Sequence, residues 1–170
     1  MKTLETQLAH YASYHRDRRN IFTHFFGIPL IVLAVMGLTW VPVVTFGPWT
    51  VTVAFILTVP VCLYYLKLSL GLGVMMTVIL TLFYLVVQYL FVILSQDNIV
   101  VFYGMWIGVF VFGWILQFIG HYYEGKKPAF VDDMIGFLIG PLFVLVELLF
   151  LMGLYRQLEQ DIIATSGPYK

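Results

Sequence analysis

A single cysteine, Cys62, is all the chain offers to disulfide chemistry, so no intramolecular bridge can brace the fold and the thiol reads as a small core residue. Charge is scarce as well: Asp, Glu, Lys and Arg make up 11% of the 170 residues, against roughly one quarter in a soluble domain. That shortage excludes an ordinary water-soluble fold. The formal net charge is +0, so nothing points to nucleic acid. Also missing are a P-loop, a dinucleotide-binding glycine fingerprint, a GxSxG elbow and an HExxH helix. Histidine is confined to His10, His15, His24 and His121, too few for the multiple histidine boxes of membrane desaturases and hydroxylases. What the chain does have is apolar: 61% hydrophobic residues, with 15 Phe, 11 Tyr and 4 Trp. That composition suits a bilayer, where Phe faces lipid cheaply and Tyr and Trp favour the headgroup level.

Five apolar runs, about Phe22 to Trp40, Trp49 to Leu66, Leu68 to Leu94, Ile99 to Gly120 and Met134 to Tyr155, approach the roughly twenty residues of a membrane span. They predict an all-α, polytopic integral membrane helix bundle of about five transmembrane helices plus an N-terminal amphipathic helix. The expected organisation is a single membrane domain over residues 1–170. Residues 1–20 form the amphipathic segment, 21–155 the bundle and 156–170 a polar tail. In the N-terminal segment Leu4, Leu8 and Tyr11 fall near one helical face, with Lys2, Glu5 and Gln7 elsewhere, so that helix is expected on the membrane surface. Asp17 and Asn20 are suited to end it and to cap a second helix starting near Ile21. The polar stretch before the first run, with no small-residue cleavage site after it, predicts a retained span and not a signal peptide. Pro29 and Pro60 lie inside runs and suggest kinks. Between the second and third runs only Lys67 and Ser69 intervene, which demands a tight hairpin or a re-entrant segment.

Charge asymmetry supplies an orientation, because short cytoplasmic loops are rich in Lys and Arg. Arg16, Arg18 and Arg19 then lie inside, the uncharged 41–48 loop outside, Lys67 inside, the loop with Asp97 outside, and Lys126 and Lys127 inside. His15, His24, His121 and Glu124 consequently share one face of the membrane.

That junction carries the polar chemistry. His15 and His24 would lie about 180° apart on an unbroken helix and could not share an ion. A break between Asp17 and Asn20 would let the amphipathic piece fold back and bring the rings together. His121 and Glu124, at i and i+3, share a helix face. Two or three imidazoles with a carboxylate form the ligand set expected of non-haem Fe(II), Mn or Zn. The bland alternative is that these histidines are interfacial anchors and Glu124 a solvated loop charge. Gln117, one turn before His121, is placed either to orient the imidazole or to make an interhelical hydrogen bond. Lys126 and Lys127 serve as topology determinants or as attractors for an anionic substrate. Glu147, in the middle of an apolar run, is expected to face the interior, protonated or hydrogen-bonded.

Two blocks of residues then resemble a known family. The first is Tyr11, Tyr14, His15, Asn20, His24 and Pro29; the second is Gly113, Trp114, Gln117, Phe118, Gly120 and His121, followed by Glu124, Pro128, Ala129 and Asp132. In order and spacing they resemble the membrane-embedded Fe(II)-dependent 2-hydroxy fatty acid dioxygenases of fatty acid α-oxidation, over about Tyr11 to Phe150. One departure is that Glu124 follows His121 one residue sooner than is common in the family, a rotation of about 100° on a helix. The resemblance implies Fe(II) as cofactor, with His15, His24 and His121 required for activity and Glu124 as a further ligand. It implies a long-chain 2-hydroxy fatty acid and O2 as substrates, and an endoplasmic reticulum membrane in a eukaryote or the cytoplasmic membrane in a bacterium. The alternatives are another lipid acid or a hydrolytic reaction at the same metal, a haem held by His24 and His121, and a non-catalytic scaffold or lipid-binding protein.

Overall fold

The computed structural model describes residues 3–47, 49–95, 98–128 and 134–170; Lys2, Asp97, Ala129 and Asp132, singled out above, lie outside them. The described residues form α1 (Leu4–Ala12), α2 (Arg18–Leu38), β1 (Pro42–Phe46), β2 (Trp49–Thr52), α3 (Val53–Leu68), α4 (Leu70–Leu94), α5 (Ile99–Glu124), α6 (Gly136–Leu151) and α7 (Arg156–Ser166). They divide into two compact units, residues 30–112 and residues 1–29 with 113–170.

In the unit of residues 30–112, β1 and β2 pair antiparallel, with Thr45 opposite Thr50 and Phe46 opposite Trp49. This corrects the expectation of a loop over 41–48 and a span beginning at Trp49. Val43, Val44, Thr45, Thr50, Val51 and Thr52 are β-branched and flank a turn in which Gly47 takes φ +56, so local preference favours a ribbon over a helix. Helix α3 starts only after it, capped by the Thr52 side chain, which accepts from the Phe55 N–H at 3.1 Å. Ser69 alone separates α3 from α4, and the two helices pack on each other as a hairpin. A Cβ at Gly73 would collide with the backbone of Tyr65 and Leu66, so glycine there lets the two helices close up.

The other unit holds the histidines. Its centre is α6, which buries Leu142, Phe143, Leu145, Val146 and Leu149. Helix α1 packs on α6 and α7 and buries Leu8, Tyr11 and Ala12. Its apolar face is thus covered by protein. Residues 156–166, expected as polar tail, form α7, turned 117° from α6. The turn runs through Gly153 at φ +75 and Tyr155 at φ 55, and Ile162 is the residue α7 buries. Gly167 at φ +88 ends that helix, with Pro168 after it.

Three of the helices, α2, α4 and α5, are long and apolar enough to cross a membrane. Each of the five apolar runs contributes one helix, α2 to α6, but α3 and α6 have 16 residues each and reach only ~24 Å, short of the ~30 Å hydrocarbon core. By length and composition, three helices among the described residues qualify as spans, or up to four if α6 and α7 make one broken span. Apolar side chains also point outward along α4, among them Val78, Leu82 and Leu85. An outward apolar surface of this kind needs lipid as its solvent, and the chain is a membrane protein.

Candidate metal centre

His15 lies in the elbow between α1 and α2, the only one of the three clustered histidines outside a helix. The elbow starts where α1 tightens, with the Tyr14 N–H bonded to the Tyr11 carbonyl at 3.1 Å and the His15 N–H to Ala12 at 2.9 Å. It ends at Asp17, whose carboxylate accepts the Arg19 N–H at 2.8 Å and whose carbonyl takes the Ile21 N–H. The chain thus breaks at residues 13–17, before the expected 17–20 window, and Asn20 sits inside α2. The outcome is the fold-back the spacing required: the rings of His15 and His24 are 4.6 Å apart between centroids.

His121, near the end of α5, completes the cluster at 4.9 Å from His15 and 5.2 Å from His24. Close helix approach makes this possible. A Cβ on Gly120 would strike the Asn20 and Thr23 side chains of α2, and one on Gly27 would strike the Gln117 amide of α5. These two glycines draw α2 and α5 together on either side of His24.

The three imidazoles are buried, and one donor nitrogen from each lies within 4.8 Å of the others. The Nδ1–H of His15 donates to the Tyr11 carbonyl at 2.7 Å, and that of His24 to the Asn20 carbonyl at 2.9 Å. Carbonyls only accept, so both rings carry their proton on Nδ1 and leave Nε2 with a lone pair. Among the described residues, both Nε2 atoms and Nδ1 of His121 are buried without a hydrogen-bond partner. Buried polar atoms are nearly always paired, so an unpartnered nitrogen on each of three clustered imidazoles fits a divalent metal ion. The back-bonding also fits, because metal-bound histidines donate their second ring N–H to a carbonyl or carboxylate. Burial, and next the positive charge a protonated His24 would add, hold the His15 pKa well below its usual value and keep the ring neutral.

Glu124 is placed differently. It is buried, and its Oε2 accepts from the Arg16 N–H at 2.8 Å, the Asp17 N–H at 2.7 Å and the Asn20 amide at 3.3 Å. The carboxylate thus closes the backbone of the elbow from the end of α5, beside the three converging imidazoles and not among them. Lys126 donates to the Ser13 carbonyl at 2.8 Å, at the other end of the elbow, and Lys127 is exposed next to it. Gln117 is buried, with its Nε2 unpartnered among the described residues. His10 stands apart from the cluster, edge-on to Tyr14.

Glu147 is buried as expected, and Tyr169 donates to it at 3.1 Å. Sequence reasoning missed two contributors. Tyr11 lays its ring flat on His15 at 4.2 Å, a contact the i, i+4 spacing could have suggested. Arg16, buried beside His15, gave no such signal, because Glu147, Gly167 and Tyr169, which surround its guanidinium, lie far along the chain.

Comparison with known proteins bears on the same residues. A curated relative, the 2-hydroxy-palmitic acid dioxygenase MPO1 of Saccharomyces cerevisiae, is 28% identical over 158 residues, covering 92% of this chain and 85% of the relative. No solved structure matches. The family model described as 2-hydroxy-palmitic acid dioxygenase Mpo1-like matches residues 1–152, a stretch that takes in all three clustered histidines and Glu124. With nine-tenths of its length inside that match, the chain belongs to the Mpo1-like family.

Proposed function

We propose that the protein is an Fe(II)-dependent dioxygenase that converts a long-chain 2-hydroxy fatty acid and O2 to the fatty acid one carbon shorter, CO2 and water. The observation that carries this reading is the clustering of three buried imidazoles, each with a nitrogen that has no hydrogen-bond partner among the described residues. The family and the relative's name support the substrate class. The balance closes without another reductant: R–CH(OH)–COOH plus O2 equals R–COOH plus CO2 plus H2O, with all four electrons drawn from the substrate. That agrees with the lack of nucleotide-binding motifs.

His15, His24 and His121 would hold the iron. When bound, Fe(II) supplies a Lewis-acidic template on which a 2-hydroxy acid and O2 can meet. The Tyr11 and Asn20 carbonyls fix the orientation of the His15 and His24 rings, and burial keeps His15 neutral and able to donate its lone pair. Glu124, its Oε2 already engaged by three donors, holds the elbow in place and thereby His15. Lys126 and Lys127 draw the substrate carboxylate to the mouth of the site. Gln117, whose buried amide donor has no partner among the described residues, lies one turn from His121 and orients groups next to the imidazoles. The acyl chain runs along the apolar helices. A haem between His24 and His121 is disfavoured, because His15 lies within 4.9 Å of both rings and leaves no slot for a macrocycle.

The test is oxygen uptake by purified, Fe(II)-loaded protein given a long-chain 2-hydroxy fatty acid, with product length read by mass spectrometry. Uptake that yields the acid one carbon shorter and disappears in His24→Ala is the expected result. Iron-replete protein that consumes no oxygen with this substrate would overturn the assigned reaction.

A further inference from the structure

His24 and His121 are fixed by their helices, but His15 sits in a non-helical elbow and needs restraint from outside. Glu124 supplies it from one side. From the other side, the chain after α7 returns to the elbow: the Lys170 N–H donates to the Arg16 carbonyl at 2.9 Å and the Arg18 N–H to the Lys170 carbonyl at 3.4 Å. Arg16 links this return to His15. Its Nε donates to the Ala12 carbonyl at 2.9 Å and to the His15 carbonyl at 3.1 Å, while Nη1 donates to the Gly167 carbonyl at 3.1 Å. The guanidinium lies over the Tyr169 ring, 4.5 Å from its centroid, and faces Glu147 Oε1 at 3.7 Å. Tyr169 ties the two together through its hydroxyl bond to Glu147.

Arg16 is 3% exposed. An ion is buried only where partners offset its lost hydration, so this guanidinium is held in place by the groups around it. Three of those, the Gly167 carbonyl, the Tyr169 ring and the Lys170 backbone, lie beyond residue 152, where the family match ends.

We propose that residues 167–170 are a clamp on Arg16 that sets the position of His15 in the three-histidine centre, with Arg16 and Tyr169 as positioning residues. The proposal rests on the metal-binding reading above. It accounts for a buried charge that the reaction does not use and gives the chain after α7 a role in the site.

The experiment is Co(II) binding to the full-length protein in detergent, by competition with a chromophoric chelator, with the visible d–d bands as a record of coordination. Helical circular dichroism and melting are followed in parallel. Wild type, Tyr169→Phe, Tyr169→Ala and Arg16→Lys are compared, with Thr165→Ala on the exposed side of α7 as control. Tyr169→Ala and Arg16→Lys are expected to bind Co(II) about 10–100-fold more weakly, with altered d–d bands and unchanged helix content; Tyr169→Phe, which keeps the ring and loses the bond to Glu147, is expected to fall between them and wild type. If Tyr169→Ala does not fold, Tyr169→Phe decides by the same readouts. Tyr169 variants that fold and match wild type in affinity and spectrum overturn the clamp while leaving the metal centre intact. Wild type that binds no Co(II) overturns both readings.

Discussion

The His15 ring lies flat on the Tyr11 ring, 8° from parallel and 4.2 Å between centroids, while Tyr11's own carbonyl accepts the His15 Nδ1–H at 2.7 Å. One residue therefore fixes both the plane and the tautomer of the imidazole. The backbone part survives any substitution, so mutation isolates the ring. Tyr11→Phe keeps the platform and is expected to retain metal. Tyr11→Ala removes a buried aromatic, at a cost of about 3–5 kcal/mol, and frees the imidazole to tilt. Its melting temperature and metal content should both drop; a Tyr11→Ala protein with wild-type metal content would show that stacking does not orient His15.

Close approach of α2 and α5 yields a second prediction. Gly120 faces the Asn20 and Thr23 side chains, and a methyl group there has no free space. Gly120→Ala should cost about 1–3 kcal/mol by overpacking and separate His24 from His121. The combined loss of thermal stability and of bound metal checks it. Stability loss with metal retained would mean that the pair of helices yields without moving the rings.

A third prediction concerns pH. The native His15 pKa lies well below the ordinary histidine value of 6.5, chiefly because of burial. An unfolded chain then takes up a proton that the native chain refuses, so stability falls as protons become available. Above the unfolded value of 6.5 the penalty is absent; it grows as pH falls below 6.5 and levels off only under the depressed native value. The melting temperature of metal-free protein in detergent, followed from pH ~8 to ~5, should decline in that window. A His15→Asn variant should decline less steeply, and equal slopes would remove His15 as the cause.

Much of this site could be read in the chain itself. His15 and His24 fall on opposite sides of any continuous helix, so a shared function demanded a break, and the polar residues between them announced one. Its position was displaced to residues 13–17 because the end of α1 is set by its packing on α6 and α7, which local capping signals do not encode. The ribbon at 42–52 was hidden by apolar content that reads equally as strand or span; β-branching and Gly47 were the discriminating signals. Arg16 and Tyr169 were illegible for another reason. They meet across more than a hundred residues, and nothing local in a short polar tail shows that it turns back on the elbow.

Glu124 separates two roles that spacing alone could not. As a ligand, its carboxylate would have to reach the ion; in the structure its Oε2 is committed to the Arg16 and Asp17 N–H groups and to Asn20, and Oε1 faces Lys170 at 3.9 Å. Glu124→Gln leaves an amide oxygen for the two backbone donors and removes the charge that strengthens those bonds, a loss of about 1–2 kcal/mol. Glu124→Ala leaves both buried N–H groups unpaired, each at about 1–3 kcal/mol, and should release the elbow and with it His15. The expected order of metal retention is wild type, then Glu124→Gln close behind, then Glu124→Ala far lower, read by metal analysis of purified protein. Loss of metal from Glu124→Gln as complete as from Glu124→Ala, in protein that still melts cooperatively, would instead make the carboxylate a fourth ligand: the two variants differ in their ability to hold the elbow, whereas neither offers the charged oxygen that an iron site would use.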